Sequence, residues 1–400
     1  MTTFSAAPQA LGYLYQARVA LALLLKASDE ARLKVEALDD IEISDALAAE
    51  SLALVQLKHH TGDTSITDAS TDLWKSLRVW SEQAESHQFT VADTRIVLLT
   101  TAKASAGSVA SLLGEQKRDV DKAEMLLMDV ANTSTNQALT LAFDAFKKLG
   151  SAQRKALLAQ VYIIPRYADI DATRKTIKHL LRVAVHAQHL DSFTERIEGW
   201  WNNKVVLQLL DKSGPKGKEI SGFELKEHVA SVAESFRSDN LPVDYEHSDV
   251  NDADIEANKR LQYVRQLEAI SASSATIRKA ILDHHRAYHQ RHRWLKDSLI
   301  FAEELENYEL RLKDEWERYF EHYCGDVDAK DTAARIKAGK QVLRWAEMEC
   351  SLKIRPKVDA AYIRRGCFHI LADKSPPDVY WHPDFLAMME ASMASAATPV

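Results

Sequence analysis

One stretch limits the folds open to this chain more than any other: Lys34 to His60, KVEALDDIEISDALAAESLALVQLKHH. It holds two apolar-alternating runs joined by the short linker SDALAAES. In the first run Ile41 and Ile43 point one way, and Asp40 and Glu42 point the other. In the second, Leu52, Leu54 and Val55 pack while Gln56 and Lys58 share a face, because side chains of a strand alternate with period two. A linker this short predicts antiparallel neighbours. Acid, amide and lysine then meet at one end of a small sheet.

That combination suits metal-assisted hydrolysis of a phosphodiester. A carboxylate such as Asp40 holds a divalent cation, which polarises the phosphate and lowers the pKa of a bound water. Lys58 either orients that water or neutralises charge developing on the phosphorane. Gln56 either ligates the metal through its carbonyl or hydrogen-bonds the attacking water. Mg²⁺ (or Mn²⁺) prefers oxygen ligands, and Asp40, Gln56 and Glu36 supply them. Asp39 and Glu42 are further acids, so the choice among Glu36, Asp39, Asp40 and Glu42 as metal ligands is open. The competing reading is a surface hairpin of solvated charges, since acids opposite lysines are common on sheets.

An Asp followed by Gln-x-Lys on an apolar strand resembles the Mrr-like branch of the PD-(D/E)XK nucleases, in which Glu-x-Lys becomes Gln-x-Lys. The surroundings, GYLYQARVALALLL on an early helix, then E-x-x-D-D-I, then VQLKHH, are similar to the double-stranded DNA endonuclease domain of CBASS-type anti-phage effectors. That similarity covers roughly the first 130 residues. It implies catalytic roles for Asp40, Gln56 and Lys58, with Glu36 and Gln16 at flanking positions. Gln16 is otherwise a buried amide bonded to backbone.

The 400 residues allow two or three domains. Only 12 Gly and 9 Pro point to long helices and few turns. Three cysteines without metal-type spacing fit a reducing cytosol, and no signal peptide or membrane span is legible, so a cytoplasmic protein is expected. A net charge of −7 excludes a general nucleic-acid binder; DNA contact then needs a local patch or patches pooled from several subunits.

In chain order, residues 9–27 read as a helix with Leu11, Leu14, Tyr15, Val19, Ala22 and Leu23 as its stripe. A second helix is predicted over 69–83, capped by Thr67 or Asp68 and burying Leu73, Leu77 and Trp80. His59 and His60 either contact DNA phosphates or simply end a strand. TRIVLLTT, residues 94–101, predicts a central strand. VYIIPRYADID reads as a short strand or extended segment, whose Arg166 is either a phosphate contact or a solvated arginine. Helices are predicted over 171–211 with Trp200 and Trp201 near a break, followed by the flexible loop SGPKGKEISG with Lys216 and Lys218. DNLPVDYEHSDVNDAD is a second polar segment. The resulting organisation is a nuclease-like α/β domain over 1–150, a helical connector over 151–254 and a predominantly α-helical domain over 255–400.

Residues 275–324 contain no Gly or Pro. Their stripe, from Ile277 through Ile281, Tyr288, Leu295, Leu299, Leu305, Leu312 and Trp316 to Tyr323, predicts one very long helix or two stacked helices at an interface. His284, His285, His289 and His292 lie within it. The i, i+4 pair His285 and His289 has metal-ligand spacing, but Arg286, Arg291 and Arg293 crowd the face, and a polar or interface face is expected. AYIRRGCFHILADKSPPDVYWHPDF, with AILDHHRAYHQRHRWLKDSLI and ELENYELRLKDEWERYF, resembles the C-terminal domain of ABC-three-component systems over roughly 255–390. It implies a structural, docking role for His369, Asp373 and His382. Joined to a nuclease domain, this tail resembles the effector of Lamassu-type anti-phage and anti-plasmid defence systems. The resemblance implies an SMC-like ABC ATPase and a small accessory subunit as partners. Expected, then, is a Mg²⁺-dependent endodeoxyribonuclease acting on double-stranded DNA, restrained by partners and activated by release or homo-oligomerisation. The alternative is a helical adaptor with a degenerate nuclease fold that binds without cleaving.

Overall fold

The structure, a computed structural model, describes residues 7–45, 52–60, 62, 64–210 and 219–396. The chain divides into two compact units between Val232 and Ala233. The first opens with helix α1 (Ala7–Lys26) and strands β1 (Arg32–Val35), β2 (Ile41–Ser44), β3 (Leu52–Lys58) and β4 (Ser65–Ile66). Then come α2 (Thr71–Glu85), β5 (Thr94–Thr100), β6 (Lys103–Ala104), α3 (Val109–Leu112), α4 (Val120–Thr133), α5 (Thr140–Lys148) and α6 (Ser151–Gln160). β7 (Val161–Ile164), α7 (Ile170–Leu181), α8 (Leu190–Leu210), β8 (Ile220–Ser221) and α9 (Gly222–Glu234) follow.

Among the described residues, six strands form one mixed sheet in the order β7-β5-β3-β2-β1-β8. β3, β5 and β7 run parallel. β2 meets β3 antiparallel with Ile41 opposite Val55 and Glu42 opposite Leu54, as the alternation requires. The apolar run of β5 lies inside the sheet, where both faces are covered. Leu54, Ile96, Leu98, Val161 and Ile163 face a core with Trp74, Leu77 and Trp80 of α2 and Phe143 and Phe146 of α5. Val55, Leu57 and Leu99 alternate onto the other side and are buried too. α1 packs on β1, α7 and α8, and the Trp201 indole donates to the Ala17 carbonyl.

Four sequence expectations change in this unit. The run from Lys34 is two strands, because the chain turns between Glu36 and Asp40. The segment 151–254 is not a single helical connector, since β7 and β8 are strands of the first unit's sheet and the division falls at 232. α2 begins at Thr71 after Ser70; Asp68 instead accepts from the Val109 N–H. Trp200 and Trp201 sit inside α8 rather than at a break. Lys216 and Lys218 of the expected loop, and 46–51 of the linker, lie outside the described residues.

The second unit is helical: α10 (Asp252–Asn258), α11 (Gln262–Ala269), α12 (Ser274–Lys296), α13 (Ala302–Cys324), α14 (Thr332–Arg344), α15 (Ala361–Asp373) and α16 (Phe385–Ala396). The Gly- and Pro-less run is thus two helices. The break comes where Ser298 adopts a left-handed φ of 53° and Leu299 and Ile300 turn into the core. The stripe is not an outward interface: Leu299, Leu305, Leu312 and Trp316 are buried within the unit, whereas Tyr288 is 55% exposed. α12 crosses α15 at Gly366, where a Cβ would lie 2.2 Å from the Asp283 carbonyl oxygen. The polar segment before α10 is pinned to α12: the Trp294 indole and the Gln290 amide both donate to the Pro242 carbonyl.

Candidate functional site

The site is built on the turn between β1 and β2. Val35 pairs with Ile41, so Glu36 to Asp40 must reverse the chain in five residues. Glu36 takes a left-handed φ of 56°, and its N–H donates to the Asp40 carbonyl at 3.0 Å. Helices on both sides hold this turn. From α1, the buried Gln16 amide donates to the same Asp40 carbonyl. From α2, Gln83 donates to the Leu38 carbonyl, and the Trp80 indole donates to Asp39 Oδ2 at 2.7 Å. Asp39 Oδ1 accepts the Asp40 N–H at 3.0 Å.

The two consecutive acids therefore differ. Asp39 is buried, and burial pushes its carboxyl up to about 6; the neighbouring Asp40 charge adds to this, while the bonds from Trp80 and Asp40 N–H and the Lys58 charge oppose it. Asp40 turns its carboxylate toward β3. Its Oδ2 accepts the Leu57 N–H at 2.7 Å, and Oδ1 lies 3.4 Å from Gln56 Nε2. Lys58, two residues on, shares the Gln56 face, and its charge acts on Asp39.

The other acids are elsewhere. Glu42 faces Lys34, which bridges it to Glu219. Glu36 is exposed, and no hydrogen bond or ion pair joins its carboxylate to Asp40 or Gln56 among the described residues. No group of three or more His, Cys, Asp or Glu side chains is placed to hold a metal among the described residues. Asp40 and Gln56 nevertheless have the right donor chemistry for a hard cation. Mg²⁺ keeps several waters and needs one or two carboxylates, and only one Asp40 oxygen is engaged by the backbone.

The residues read as DNA contacts lie beyond the carboxyl ends of β3 and β7, two of the three parallel strands. After β3, the His59 ring lies 5.1 Å from Tyr15, and His60 pairs with Asp72 at 3.2 Å while its N–H donates to Thr101. After β7, Arg166 is exposed with a left-handed φ of 53°, and its N–H donates to the Ala102 carbonyl. The Asp39–Trp80 bond and the Gln83 bond to Leu38 are what sequence reasoning missed. The available signal was Trp80 itself: a buried indole N–H needs an acceptor.

Comparison with known families bears on the second unit. Residues 263–389 match the model for C-terminal domain 7 of the ABC-three component (ABC-3C) systems. The match supports the chain's membership in such a defence system. The matched residues run from α11 into α16 and include Tyr263, Gly366 and Trp381. Curated proteins returned no match. Among solved structures, the chain is similar to an Acinetobacter baumannii Cap4 SAVED/CARF-domain containing receptor (13% identity, TM-score 0.31, 67% of this chain and 59% of that chain). It is also similar to the Moraxella osloensis Cap4 receptor (13% identity, TM-score 0.34, 70% and 68%). The chain thus spans under two thirds of the Acinetobacter receptor's length. Among the described residues, no helix is long and apolar enough to cross a membrane.

Proposed function

We propose that this ABC-three component subunit is a metal-dependent DNA endonuclease, with Asp40, Gln56 and Lys58 as its active site. One observation carries the reading: the β2–β3 pairing sets the Asp40 carboxylate against Gln56, with Lys58 next on the same face. Asp40 and the Gln56 carbonyl would hold Mg²⁺ or Mn²⁺, which when bound supplies a Lewis acid and a water of lowered pKa. Lys58 offsets negative charge developing on the phosphate. Asp40 is the ligand among the four acids, because Glu42 is occupied by Lys34, Asp39 by Trp80, and Glu36 stands apart. Partners of the SMC-like ATPase type would restrain the subunit.

A plasmid-digestion assay with Mg²⁺ tests this. Lys58→Ala and Asp40→Ala should each lower cleavage at least 100-fold, with unchanged thermal unfolding for Lys58→Ala. Full cleavage by both variants sinks the assignment. One observation favours the adaptor alternative: Asp40 also satisfies the Leu57 N–H, a job that a non-cleaving fold would retain. Wild-type DNA binding without cleavage under any divalent metal would select that reading.

A further inference from the structure

The turn that presents Asp40 packs one apolar side chain, the half-buried Leu38, against the core that holds Trp80. Hydrogen bonds fix the rest of it, and one buried side chain makes two of them. Asp39 takes the Trp80 indole N–H on Oδ2 and the Asp40 backbone N–H on Oδ1. Trp80 is fully buried in the α2 core with Leu77 and Leu73, so its N–H is a fixed point. The Gln83 bond to Leu38 ties the preceding residue to the same helix. From Asp40 onward the chain enters β2, and the carboxylate is directed at Gln56 and the Leu57 N–H.

We propose that Asp39 is a positioning residue: anchored on Trp80, it fixes the Asp40 main chain and thereby aims the Asp40 carboxylate for divalent-metal binding. This rests on the reading of Asp40 and Gln56 as metal-holding residues. Asp39 is not itself a ligand, because it is buried and its carboxylate is turned to the Trp80 indole rather than to Gln56. The doubled acid then has two separate tasks, one in the core and one at the surface of the sheet.

An amide cannot replace this carboxylate. The side chain introduced by Asp39→Asn has one acceptor oxygen and one NH₂, and both atoms that face it are N–H donors. Either the Trp80 bond or the Asp40 bond is lost, with little change in volume. Partners that orient a metal-binding side chain typically contribute 10- to 100-fold in metal affinity.

The experiment is a Mn²⁺ titration of the full chain without DNA, followed by water-proton relaxation, beside thermal unfolding and metal-free duplex DNA binding. Asp39→Asn is expected to weaken Mn²⁺ binding about 10- to 100-fold. Metal-free DNA binding should stay within about twofold, since no phosphate-facing group changes. Trp80→Phe, which deletes the anchoring N–H, should weaken Mn²⁺ binding in the same direction and serves if Asp39→Asn does not fold. A merely structural role would lower the unfolding temperature and leave the folded protein's Mn²⁺ affinity unchanged, and that result overturns the proposal. Asp40→Ala separates the two claims. If it removes Mn²⁺ binding while Asp39→Asn and Trp80→Phe bind like wild type, only the positioning role fails. If Asp40→Ala binds Mn²⁺ like wild type, the metal site itself is misplaced and the positioning role falls with it.

Discussion

His369 shows how a residue with metal-ligand chemistry is used otherwise in this protein. It is buried on α15, with its ring 5.6 Å from Tyr263 and 6.1 Å from Trp381, and neither ring nitrogen has a hydrogen-bond partner. Burial, then the charges of His284 and Arg365, push its pKa down to about 3; burial pushes His284 down to about 4. An unfolded histidine titrates near 6.5, so below that pH the unfolded chain takes up protons that the folded unit refuses. The stability is fully present above pH 6.5 and is lost as pH falls toward the folded values. For one such histidine the loss is on the order of 3 kcal/mol by pH 4. Urea unfolding of the wild type against His369→Leu between pH 7 and 4 checks this. The variant should be at least as stable at pH 7 and should lose less on acidification; parallel curves would remove His369 from the account. The chemistry of His369 was visible in the sequence, but its isolation was not, because the partners come from α11 and the segment after α15.

At the scale of elements, what repeats along the chain was legible and what is decided by one residue was not. The β2–β3 register, β5 and the buried face of α2 follow from period-two, continuous and helical apolar patterns. β8, with two residues, is too short to show a period; β7, with four, was legible as a short strand or extended segment but not as a member of this sheet. The break between α12 and α13 carries neither Gly nor Pro, so no punctuation marks it; Leu299 and Ile300 gain burial by leaving the helix. The site divides in the same way. The approach of Asp40 to Gln56 and the face shared by Gln56 and Lys58 were legible from alternation, while the Asp39–Trp80 bond depended on where Trp80 lands. Gly366 illustrates why packing outweighs propensity. In an open helix Gly→Ala stabilises by up to about 1 kcal/mol, which is the expectation for Gly199 in α8, where nothing lies within 4 Å. At Gly366 the new methyl would meet the Asp283 carbonyl at 2.2 Å and the Ala287 Cβ at 2.4 Å. Overpacking of this kind costs about 1–3 kcal/mol or more, so the clash wins. Thermal melts should move in opposite directions for the two variants, and a higher melting temperature for Gly366→Ala would refute the close helix contact.

At the scale of the whole molecule, charge and the number of active sites together set what one copy can do. On the proposed reading each chain would carry one Asp40–Gln56–Lys58 site, and one such site would cut one strand, so a double-strand break would need two chains. The chain also carries a net charge of −7, which repels DNA. Among the described residues, Lys58 and Arg166 are cations at the carboxyl ends of β3 and β7, so one copy should displace about two counterions there, giving a salt slope near −2. A pair of copies engaging one duplex should approach twice that slope. The active form is therefore expected to be a homo-oligomer, with the partner-bound form holding fewer copies and remaining quiet. Leu299 and Leu312 cannot report on this assembly. Both are buried inside the second unit, and Leu312→Ala should cost about 2–5 kcal/mol of folding stability instead. The exposed Leu310, 63% accessible on α13, is the better probe, because Leu310→Asp should leave the melting temperature unchanged. Light scattering across a concentration series, read beside nicking and double-strand cleavage of a plasmid, decides the matter. Double-strand cleavage should rise with the oligomer fraction, and the steep salt slope should appear only there. A monomer that makes double-strand breaks at full rate, or that shows the steep slope by itself, would mean that DNA is held by a surface other than these strand ends.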